Sequence, residues 1–455
     1  MNKLTQLFII MIVTLFAFGG IFRNQFVIDD QYFIQDWPLT RSWSNLPALL
    51  SGANPESQPG VYRPVRGLLY LVYYQLGDTN PLIYHLHSLA THLATTLLVY
   101  FVVKQILQKI QQKAGNLPFI TALLFGLHPI HTESITYIAA SMEMIGITFA
   151  LASFLSYLSH KKISTLLFAT LAFFTYEMTL TLPLLLALYE LTLGKKNWSK
   201  IWPLFIPLVS YLFIRFGILH LGAGRGDYLA FSFYHTQLTM TKVWFKYLAL
   251  LIFPVSLSHN HTILPGFEAF MTPYSNGQAI LNQSILDVPI LLSLACILAL
   301  LYLALKSHAK YPWLSFAVGW FFISLLPVAY FLPQGTALAE KYLYLSSLSV
   351  IGVISLGISC LLTSNKKLGV AVLTLLVFFY TTQTISRNKH WQTPQTLWEH
   401  EVVIHPESEL AFYNLGNIYT QLGQRDKAIS AYQNALKIQP RFWEARHNLQ
   451  NLLAK

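Results

Sequence analysis

The chain has 455 residues, of which 54% are hydrophobic and only 11% are charged, and its formal net charge is +11. Soluble domains carry roughly 25% charged residues, so this composition excludes a soluble globular, disordered or fibrous protein. Its two cysteines, Cys296 and Cys360, both lie within apolar runs, which excludes a zinc ribbon or a disulfide framework. What remains is an all-α, polytopic membrane protein, because runs of about 20 apolar residues match the bilayer core.

Twelve apolar runs follow one another along the chain. They cover residues 4–22, 82–103, 117–135, 137–158, 163–177, 178–193, 201–220, 243–258, 286–305, 313–332, 343–362 and 368–384. Connectors such as 159–162 and 363–367 contain lysines and no acidic residue, which places them in the cytoplasm. The net positive charge is therefore a topology signal and does not indicate nucleic-acid binding.

The lysine-rich connectors on either side of the middle runs lie on the same side of the membrane, so an even number of crossings separates them. Three runs lie between them, and the weakest is 243–258. We predict that this run is a re-entrant or interfacial segment lining a cavity. Residues 1–22 lack a clear cleavage site, so we expect an uncleaved first helix. The result is a helix bundle of about 11 spans, with the N-terminus cytoplasmic and the C-terminus outside.

The first outer loop, residues 23–81, begins with two adjacent carboxylates, Asp29 and Asp30. Ionisable groups beside a membrane helix are candidates for function, and a carboxylate pair can split its titration so that one member is a base. A helix-capping pair in solvated headgroup space is the alternative. Arg63 and Arg66 lie further along the loop, and guanidinium groups bind phosphate bidentately. Ordinary contact with lipid headgroups would use the same two arginines.

Several later segments each bring an acid or a base to the outer side of the apolar runs. These residues are His128, His131, Glu133, Glu143, Glu177, Glu340 and Lys341. Two histidines three residues apart, followed by a glutamate, suit a metal, but Pro129 makes a capped helix–loop–helix junction equally compatible, and we assign no metal site. The convergence of these groups predicts an active site at the outer interface, although a simple hydrophilic vestibule would show the same pattern.

The last part of the chain, residues 385–455, changes to a polar, amphipathic composition. Its pattern of Phe412, Leu415, Gly416, Tyr419, Ala428 and Tyr432 is that of a tetratricopeptide repeat. Pro406 and Pro440 are 34 residues apart, which is the period of this repeat. We predict one full repeat over 409–442, a partial repeat over 391–405 and the start of another over 443–455. Because so few repeats are marginal alone, we expect the tail to dock on the membrane domain, residues 1–384, or on a partner.

In their order along the chain, these segments carry a resemblance to a known family. They are Asp29-Asp30 after the first helix, Tyr62-Arg63-Pro64, His128 to Glu133, Glu177 with Thr181-Leu182-Pro183, Glu340 to Tyr344, and Arg387-Asn388 before Trp391 and the repeats. The chain resembles membrane glycosyltransferases of the GT-C fold. In particular, it is similar to the transmembrane and tetratricopeptide-repeat-containing O-mannosyltransferases and their bacterial relatives.

The resemblance implies transfer of a mannose-like sugar from a polyprenyl-phosphate donor to an acceptor hydroxyl on a protein or glycan, outside the cytoplasm. It also implies that one member of Asp29-Asp30 is the catalytic base. Arg63, Arg66 and Lys341 would hold the departing phosphate, and a single displacement would invert the anomeric centre. The location implied is a bacterial inner membrane. The lipid-linked donor is the only cofactor-like molecule expected, and the need for a divalent metal is open.

Two other functions remain compatible with the sequence. The chain could be a membrane-anchored scaffold whose repeats bind a protein partner without catalysis. It could also be a polysaccharide ligase or polymerase, since these enzymes are polytopic and use prenyl-linked substrates. About 11 spans exceed what an anchor needs, so we expect an enzyme.

Overall fold

A computed structural model describes residues 2–53, 60–113, 115–222, 226–264, 267–268 and 277–454. Its described secondary structure is almost entirely helical. The strands in these residues, β1 (Thr262–Leu264) and β2 (Phe267–Glu268), form one antiparallel pair. The predicted all-α class is therefore confirmed.

The N-terminal half consists of helices joined by short loops and 3-10 turns. The α-helices are α1 (Lys3–Phe18), α2 (Leu46–Leu50), α3 (Pro64–Gly77), α4 (Pro81–Lys109), α5 (Leu117–Leu127), α6 (Thr132–Thr136), α7 (Ile138–Leu158), α8 (Lys162–Phe173), α9 (Leu182–Thr192) and α10 (Phe205–Leu212). The apolar run 117–135 is not one helix. α5 ends at Leu127, and a 3-10 turn over Pro129–His131 follows, because proline lacks the N–H that an α-helix interior requires.

The C-terminal half continues the same all-helical pattern. Its helices are α11 (Phe233–Ile252), α12 (Gly277–Leu281), α13 (Val288–Ser307), α14 (Pro312–Leu325), α15 (Leu343–Ser364), α16 (Lys366–His390), α17 (Pro394–Ile404), α18 (Glu409–Gln421), α19 (Arg425–Ile438) and α20 (Trp443–Leu453). The segment 243–258 differs from the prediction of irregular backbone. Residues 243–252 are the second half of the regular helix α11, and only 253–258 are non-helical.

Seven helical segments of the described residues are long and apolar enough to cross a membrane. They are Lys3–Arg23, Pro81–Lys109, Ile138–Leu158, Trp198–Ile218, Val288–Ser307, Glu340–Ser364 and Lys366–His390. Three shorter apolar helices accompany them: Leu117–Leu127, Lys162–Phe173 and Pro312–Val328. These helices confirm an integral membrane helix bundle, while the count of about 11 spans stays a prediction.

The centre of the bundle is built around α4, which packs against α1, α5 and α7. The close approach depends on Gly126 in α5. A Cβ atom at this position would lie 2.5 Å from the Thr14 hydroxyl oxygen and 2.9 Å from the Thr96 methyl carbon. Only a glycine therefore lets α5 pack this closely against its neighbours.

The tail forms the predicted helical repeat. α18 and α19 pack as an antiparallel pair, with Ala428 and Tyr432 buried between them. A Cβ atom on Gly416 would lie 2.6 Å from the Tyr432 ring, so glycine is required where the two helices meet. α16 continues six residues past residue 384, to His390, and leads directly into the tail.

The tail docks on the membrane domain beside the first outer loop, as expected from its small number of repeats. Trp391 and Leu397 are buried in one apolar cluster with Phe33 and Tyr70 of the first outer loop. The main-chain N–H of Gln25 also donates a hydrogen bond to the carbonyl of Gln392, 2.9 Å away. These contacts bring the repeats next to the loop that contains the two adjacent aspartates.

Candidate active site

Two cavities meet at the short 3-10 turn Glu340–Tyr342. The outer cavity, about 710 Å³, lies between the first outer loop and α18 and includes Asp29 and Lys341 in its lining. The arginine cavity, about 370 Å³, includes Arg63 and Tyr342 in its lining. Consecutive residues of one turn therefore line both cavities. Pockets of this size are typical of small-molecule sites.

The outer cavity brings together a carboxylate, a cation and a buried phenol. Asp29 is partly exposed and lines the cavity with Tyr137 and Lys341. The Lys341 ammonium nitrogen lies 5.5 Å from the centre of the Tyr137 ring. Burial raises the pKa of Tyr137 well above its ordinary value, and the negative charges of Asp29 and Asp30 raise it further. Tyr137 is therefore a neutral hydrogen-bond donor beside the Asp29 carboxylate.

The two adjacent aspartates occupy different environments. Asp30 is completely buried, and its carboxylate accepts hydrogen bonds from the main-chain N–H groups of Val27 (3.1 Å) and Ala139 (2.8 Å). Burial raises the pKa of Asp30 to about 8, although these N–H donors partly offset the effect. Asp30 thus fastens the first outer loop to the start of α7. Of the pair, only Asp29 lines the outer cavity.

Three buried arginines and two glutamates form an ion-pair cluster beside the arginine cavity. Arg63 is paired with Glu143 and, through Nε, with Glu177 at 2.6 Å. Arg66 lies 3.2 Å from Glu143, and Arg215 lies 3.3 Å from Glu177. The formal charge of the cluster is positive, because three cations face two anions. Such a site suits an anionic ligand.

The charges of the cluster affect each arginine of the first outer loop differently. Burial and the neighbouring Arg63 charge lower the pKa of Arg66 to about 10. Burial also opposes the charge of Arg63, but Glu143 and Glu177 outweigh it and raise the pKa of Arg63 above its ordinary value. Both guanidinium groups are consequently charged at neutral pH.

The walls of the arginine cavity are mainly apolar. Leu184, Leu212, Val328 and Leu332 line it together with Arg63 and Arg215. Glu177 also lines the cavity and pairs with both arginines. A cavity that combines two guanidinium groups with many apolar side chains matches an amphipathic ligand that has a phosphate and a hydrocarbon chain.

His128 and His131 are part of the predicted polar site, but the protein itself uses all four ring nitrogens. His128 contacts the Leu251 carbonyl at 3.1 Å and accepts a hydrogen bond from the Ile130 N–H. His131 contacts the Phe125 carbonyl and the Ser347 hydroxyl, both at 2.9 Å. The capped junction around Pro129 therefore accounts for both histidines. In the part of the chain that the structure describes, no group of three or more His, Cys, Asp or Glu residues could hold a metal.

Glu340 and Glu133 anchor the turn that separates the two cavities. Arg387 lies 2.6 Å and His261 Nε2 lies 2.9 Å from the Glu340 carboxylate, which is fully buried. Glu133 accepts a hydrogen bond from the main-chain N–H of Lys341 at 3.0 Å, and His259 Nδ1 lies 3.3 Å from it. Burial alone would raise the pKa of Glu133, but His259 together with the charges of Lys341 and Arg387 outweighs burial and lowers the pKa. These two glutamates therefore position Lys341 and do not line either cavity.

The tail adds a further carboxylate to this anchoring network. Glu401 of α17 accepts hydrogen bonds from the Ser258 hydroxyl (2.6 Å) and from the main-chain N–H groups of His259 (3.0 Å) and Asn260 (3.3 Å). Burial would raise the pKa of Glu401, but hydrogen bonds from His400, Ser258 and His259 hold it below its ordinary range. The loop that carries His259 and His261 is thus held between the membrane domain and the tail.

Comparisons with known proteins agree with this architecture. The tetratricopeptide repeat model matches residues 410–442. Protein O-mannosyl-transferase F38B6.6 of Caenorhabditis elegans is 24% identical over 453 residues, covering 96% of this chain and 63% of that protein. Protein O-mannosyl-transferase TMTC1 of Homo sapiens is 24% identical over 495 residues, covering 96% of this chain and 55% of that protein. This chain is a homologue of proteins named protein O-mannosyl-transferases. The resemblance inferred from the sequence motifs is confirmed.

The homology to protein O-mannosyl-transferases extends through most of this chain but not through most of each relative. Protein O-mannosyl-transferase TMTC3 of Mus musculus is 23% identical over 430 residues, covering 83% of this chain and 44% of that protein. The chain thus matches between 44% and 63% of the length of these three relatives.

Four charged or polar residues of the candidate site were not predicted from the sequence. They are Arg215, His259, His261 and Glu401. The sequence could have indicated Arg215, because it is the only Lys, Arg, Asp or Glu in the apolar run 201–220. Isolated charges in such runs are often functional. Nothing in the sequence indicated Glu401, since its position in the repeat is one that ordinarily faces solvent. Its partners are about 140 residues away along the chain.

Proposed function

We propose that the chain is a membrane glycosyltransferase that transfers a mannose-like sugar from a polyprenyl-phosphate donor to a hydroxyl of a protein acceptor, at the extracytoplasmic face. The names of the homologues support the reaction class. The observation that carries the proposal is the turn Glu340–Tyr342, which joins a cavity with a carboxylate to a cavity with arginines and apolar walls.

The donor occupies the arginine cavity in this proposal. Its phosphate binds Arg63 and Arg215, and its prenyl chain contacts apolar lining residues such as Leu184, Leu212 and Leu332. Lys341 is next to Tyr342 in the turn and supplies a third positive charge on the side that faces the acceptor. The sugar then lies between the two cavities.

Asp29 serves as the base in the outer cavity. The acceptor hydroxyl oxygen forms a bond to the anomeric carbon while the bond from that carbon to the phosphate oxygen breaks. The electron pair of the broken bond stays on the phosphate, whose charge the cations stabilise, and the hydroxyl proton passes to Asp29. A single displacement of this kind inverts the anomeric centre. A positioned base typically contributes about 100- to 10,000-fold to the rate.

The lysine-only connectors support the orientation of the proposed site. These connectors contain lysines and no acidic residue, as the positive-inside rule expects of cytoplasmic loops, and this pattern supports a proposed orientation with the N-terminus in the cytoplasm and with Asp29 and the docked tail on the extracytoplasmic face.

The test uses the full chain in lipid nanodiscs with a panel of polyprenyl-phosphate sugars. A ligand present at 100 times its dissociation constant should stabilise the protein by about 2.7 kcal/mol, which raises its melting temperature. We expect one donor to do so, and we expect Asp29→Asn to keep this stabilisation while transfer falls at least about 100-fold. Arg215→Lys should weaken donor binding, since lysine cannot bind phosphate bidentately.

Matched control variants lie in the same loop but outside both cavities. Asp36→Asn and Arg41→Lys change exposed side chains and should leave donor binding and transfer at wild-type levels. Full transfer activity in Asp29→Asn would refute the assignment of the base. The absence of stabilisation by every donor would refute the proposed reaction.

A further inference from the structure

The outer cavity is lined by several carboxamide side chains. Six of them line it: Gln25, Gln31 and Gln35 from the first outer loop, and Asn414, Asn417 and Gln421 from α18. The three residues of α18 are spaced by three and four positions, which places them on one face of the helix. Carboxamides therefore line both walls of the cavity that contains Asp29.

The carboxamide lining continues from this cavity along the repeats. A groove of about 370 Å³, which we call the repeat groove, shares Asn417 and Gln421 with the outer cavity and also includes Asn448 and Asn451. Asn414 and Asn448 are 34 residues apart, and so are Asn417 and Asn451. Two positions of the repeat therefore carry an asparagine in both successive repeats. The equivalent asparagines are separated by the repeat period.

Hydrogen bonds hold part of this row in place. The Asn417 side-chain oxygen accepts hydrogen bonds from Asn448 Nδ2 at 2.9 Å and from the Tyr432 hydroxyl at 2.8 Å. Both bonds use the oxygen of Asn417. Asn414 and Gln421 make no side-chain hydrogen bond to any other residue that the structure describes. Asn451 Nδ2 lies 3.0 Å from His447 Nε2. Among the described residues, the row therefore offers a ligand the whole amides of Asn414 and Gln421, the Asn417 nitrogen and the Asn451 oxygen.

A carboxamide has the same hydrogen-bonding groups as a peptide bond, namely a carbonyl acceptor and N–H donors. A row of such groups can pair with the main chain of an extended polypeptide without contacting its side chains, as strand-type recognition does. Charged groups are scarce along the row: no Lys, Arg, Asp or Glu among the described residues lines the repeat groove, and Asp29 and Lys341 of the outer cavity come from the membrane domain. The row therefore does not select ligands by their charge.

We propose that Asn414, Asn417, Asn448 and Asn451 form a track that binds the main chain of an extended acceptor polypeptide and leads it to Asp29. This inference deepens the proposed function, on which it rests, because it specifies the acceptor as an extended polypeptide segment recognised largely independently of its side chains. The glutamines of the first outer loop close the opposite side of the track.

The test measures the binding of synthetic peptides to the full chain in nanodiscs, without donor, by fluorescence anisotropy. The parent peptide has twelve residues, alanine and glycine around one central threonine. A second peptide has the same composition in shuffled order, and a third has the parent sequence with alternate main-chain nitrogens methylated. We expect the first two to bind equally well and the methylated peptide to bind at least about tenfold more weakly, because methylation removes the N–H donors.

Asn414→Ala and Asn451→Ala should each weaken binding of the parent peptide about fivefold, the effect of losing about one hydrogen bond. The matched control is Gln433→Ala, which removes an exposed carboxamide that lines neither the outer cavity nor the repeat groove. It should bind all peptides as the wild type does. Equal melting temperatures for the variants show that the tail remains folded.

Several results would overturn the inference. They are equal affinity for the methylated and parent peptides, unchanged binding in Asn414→Ala, no binding of the parent peptide up to about 1 mM, or binding of a mannose oligosaccharide in its place. The proposed function is tested separately by sugar transfer. Transfer that proceeds normally with a methylated peptide and in Asn414→Ala would refute the track and leave the glycosyltransferase standing. Peptide binding by the track with no transfer from any donor would do the reverse.

Discussion

Asp29 and Asp30 show how two adjacent identical residues acquire different roles. A turn in which the Asp30 N–H bonds the Val27 carbonyl directs one carboxylate inward, where two main-chain N–H groups bind it. The other carboxylate faces the outer cavity. Sequence alone predicts the pair as a functional element, but the choice between its members depends on the position of Ala139, which is more than 100 residues away along the chain.

Asp30 should make stability depend on pH. Its pKa is raised by burial from 3.8 to about 8, so the folded protein binds a proton more tightly than the unfolded chain does. Its contribution is therefore fully present below about pH 4 and is lost as the pH rises towards 8. We expect the melting temperature to fall more steeply between pH 5 and 8 in the wild type than in Asp30→Asn.

The comparison of melting temperatures needs a control from the same loop. Asp36→Asn removes an exposed carboxylate and should retain the steep pH dependence of the wild type. Parallel curves for the wild type and Asp30→Asn would contradict the raised pKa.

The polar residues of the site were predictable as a set, but their partners were not. Arg63, Glu143 and Glu177 were all expected at the outer side, and they do form one cluster. Arg215 completes that cluster from a stretch of π-helix, Phe213–Ile218, whose backbone departs from the regular 3.6-residue period. Helical periodicity does not predict the direction of a side chain in such a stretch. The pairing of Arg215 with Glu177 could therefore not be predicted from the sequence.

At the scale of elements, the repeat helices were the most predictable part of the chain. Their period fixes both the helix boundaries and the residues that pack between them, and α18 and α19 occupy the predicted full repeat 409–442. The loop after α11 was the least predictable. Its residues His259 and His261 are positioned by Glu133, Glu340 and Glu401, which come from three distant segments.

The meeting of α18 and α19 gives a specific prediction. In Gly416→Ala, the new methyl group would lie 2.6 Å from the Tyr432 ring, which is buried and hydrogen-bonded to Asn417, so neither helix can adjust freely. Overpacking of this kind costs about 1–3 kcal/mol of stability. We expect faster hydrogen exchange in both helices, measured by mass spectrometry on the full chain.

A glycine with open space around it provides the control for this substitution. Gly357 in α15 has no atom within 4 Å of an added Cβ, so Gly357→Ala should leave exchange in the tail unchanged. Wild-type exchange rates in Gly416→Ala would show that the close contact of the two helices is not required.

For the whole molecule, the arrangement of membrane domain and tail depends on a few buried polar contacts. The apolar runs predicted the helix bundle, because hydrophobic length determines what can cross a bilayer. They could not predict where the tail docks, since that depends on Glu401 meeting the 258–260 loop.

Removing the Glu401 carboxylate should loosen this arrangement. Glu401→Ala leaves the Ser258 hydroxyl and the N–H groups of His259 and Asn260 without their acceptor, and each unsatisfied buried group costs about 1–3 kcal/mol. We expect hydrogen exchange in α17 and in residues 258–262 to become at least tenfold faster.

The conservative variant provides a graded comparison. Glu401→Gln keeps one acceptor oxygen and should lie between the wild type and Glu401→Ala. Because hydrogen bonds hold the pKa of Glu401 below its ordinary range, the contact should also survive mildly acidic buffers. Unchanged exchange in Glu401→Ala would show that the apolar contacts of Trp391 and Leu397 suffice for docking.

The turn Glu340–Tyr342 is a common wall of the outer cavity and the arginine cavity, and Glu133 and Arg387 anchor it from behind. A ligand that shifts this wall in one cavity changes the shape of the other. Thermodynamic linkage makes any such effect mutual, so the factor by which the first ligand alters the affinity of the second equals the factor in the opposite direction. In the proposed reaction, a dissociation constant measured with the donor or the acceptor alone therefore describes a half-filled protein, and this turn of three residues would carry the coupling between the two affinities.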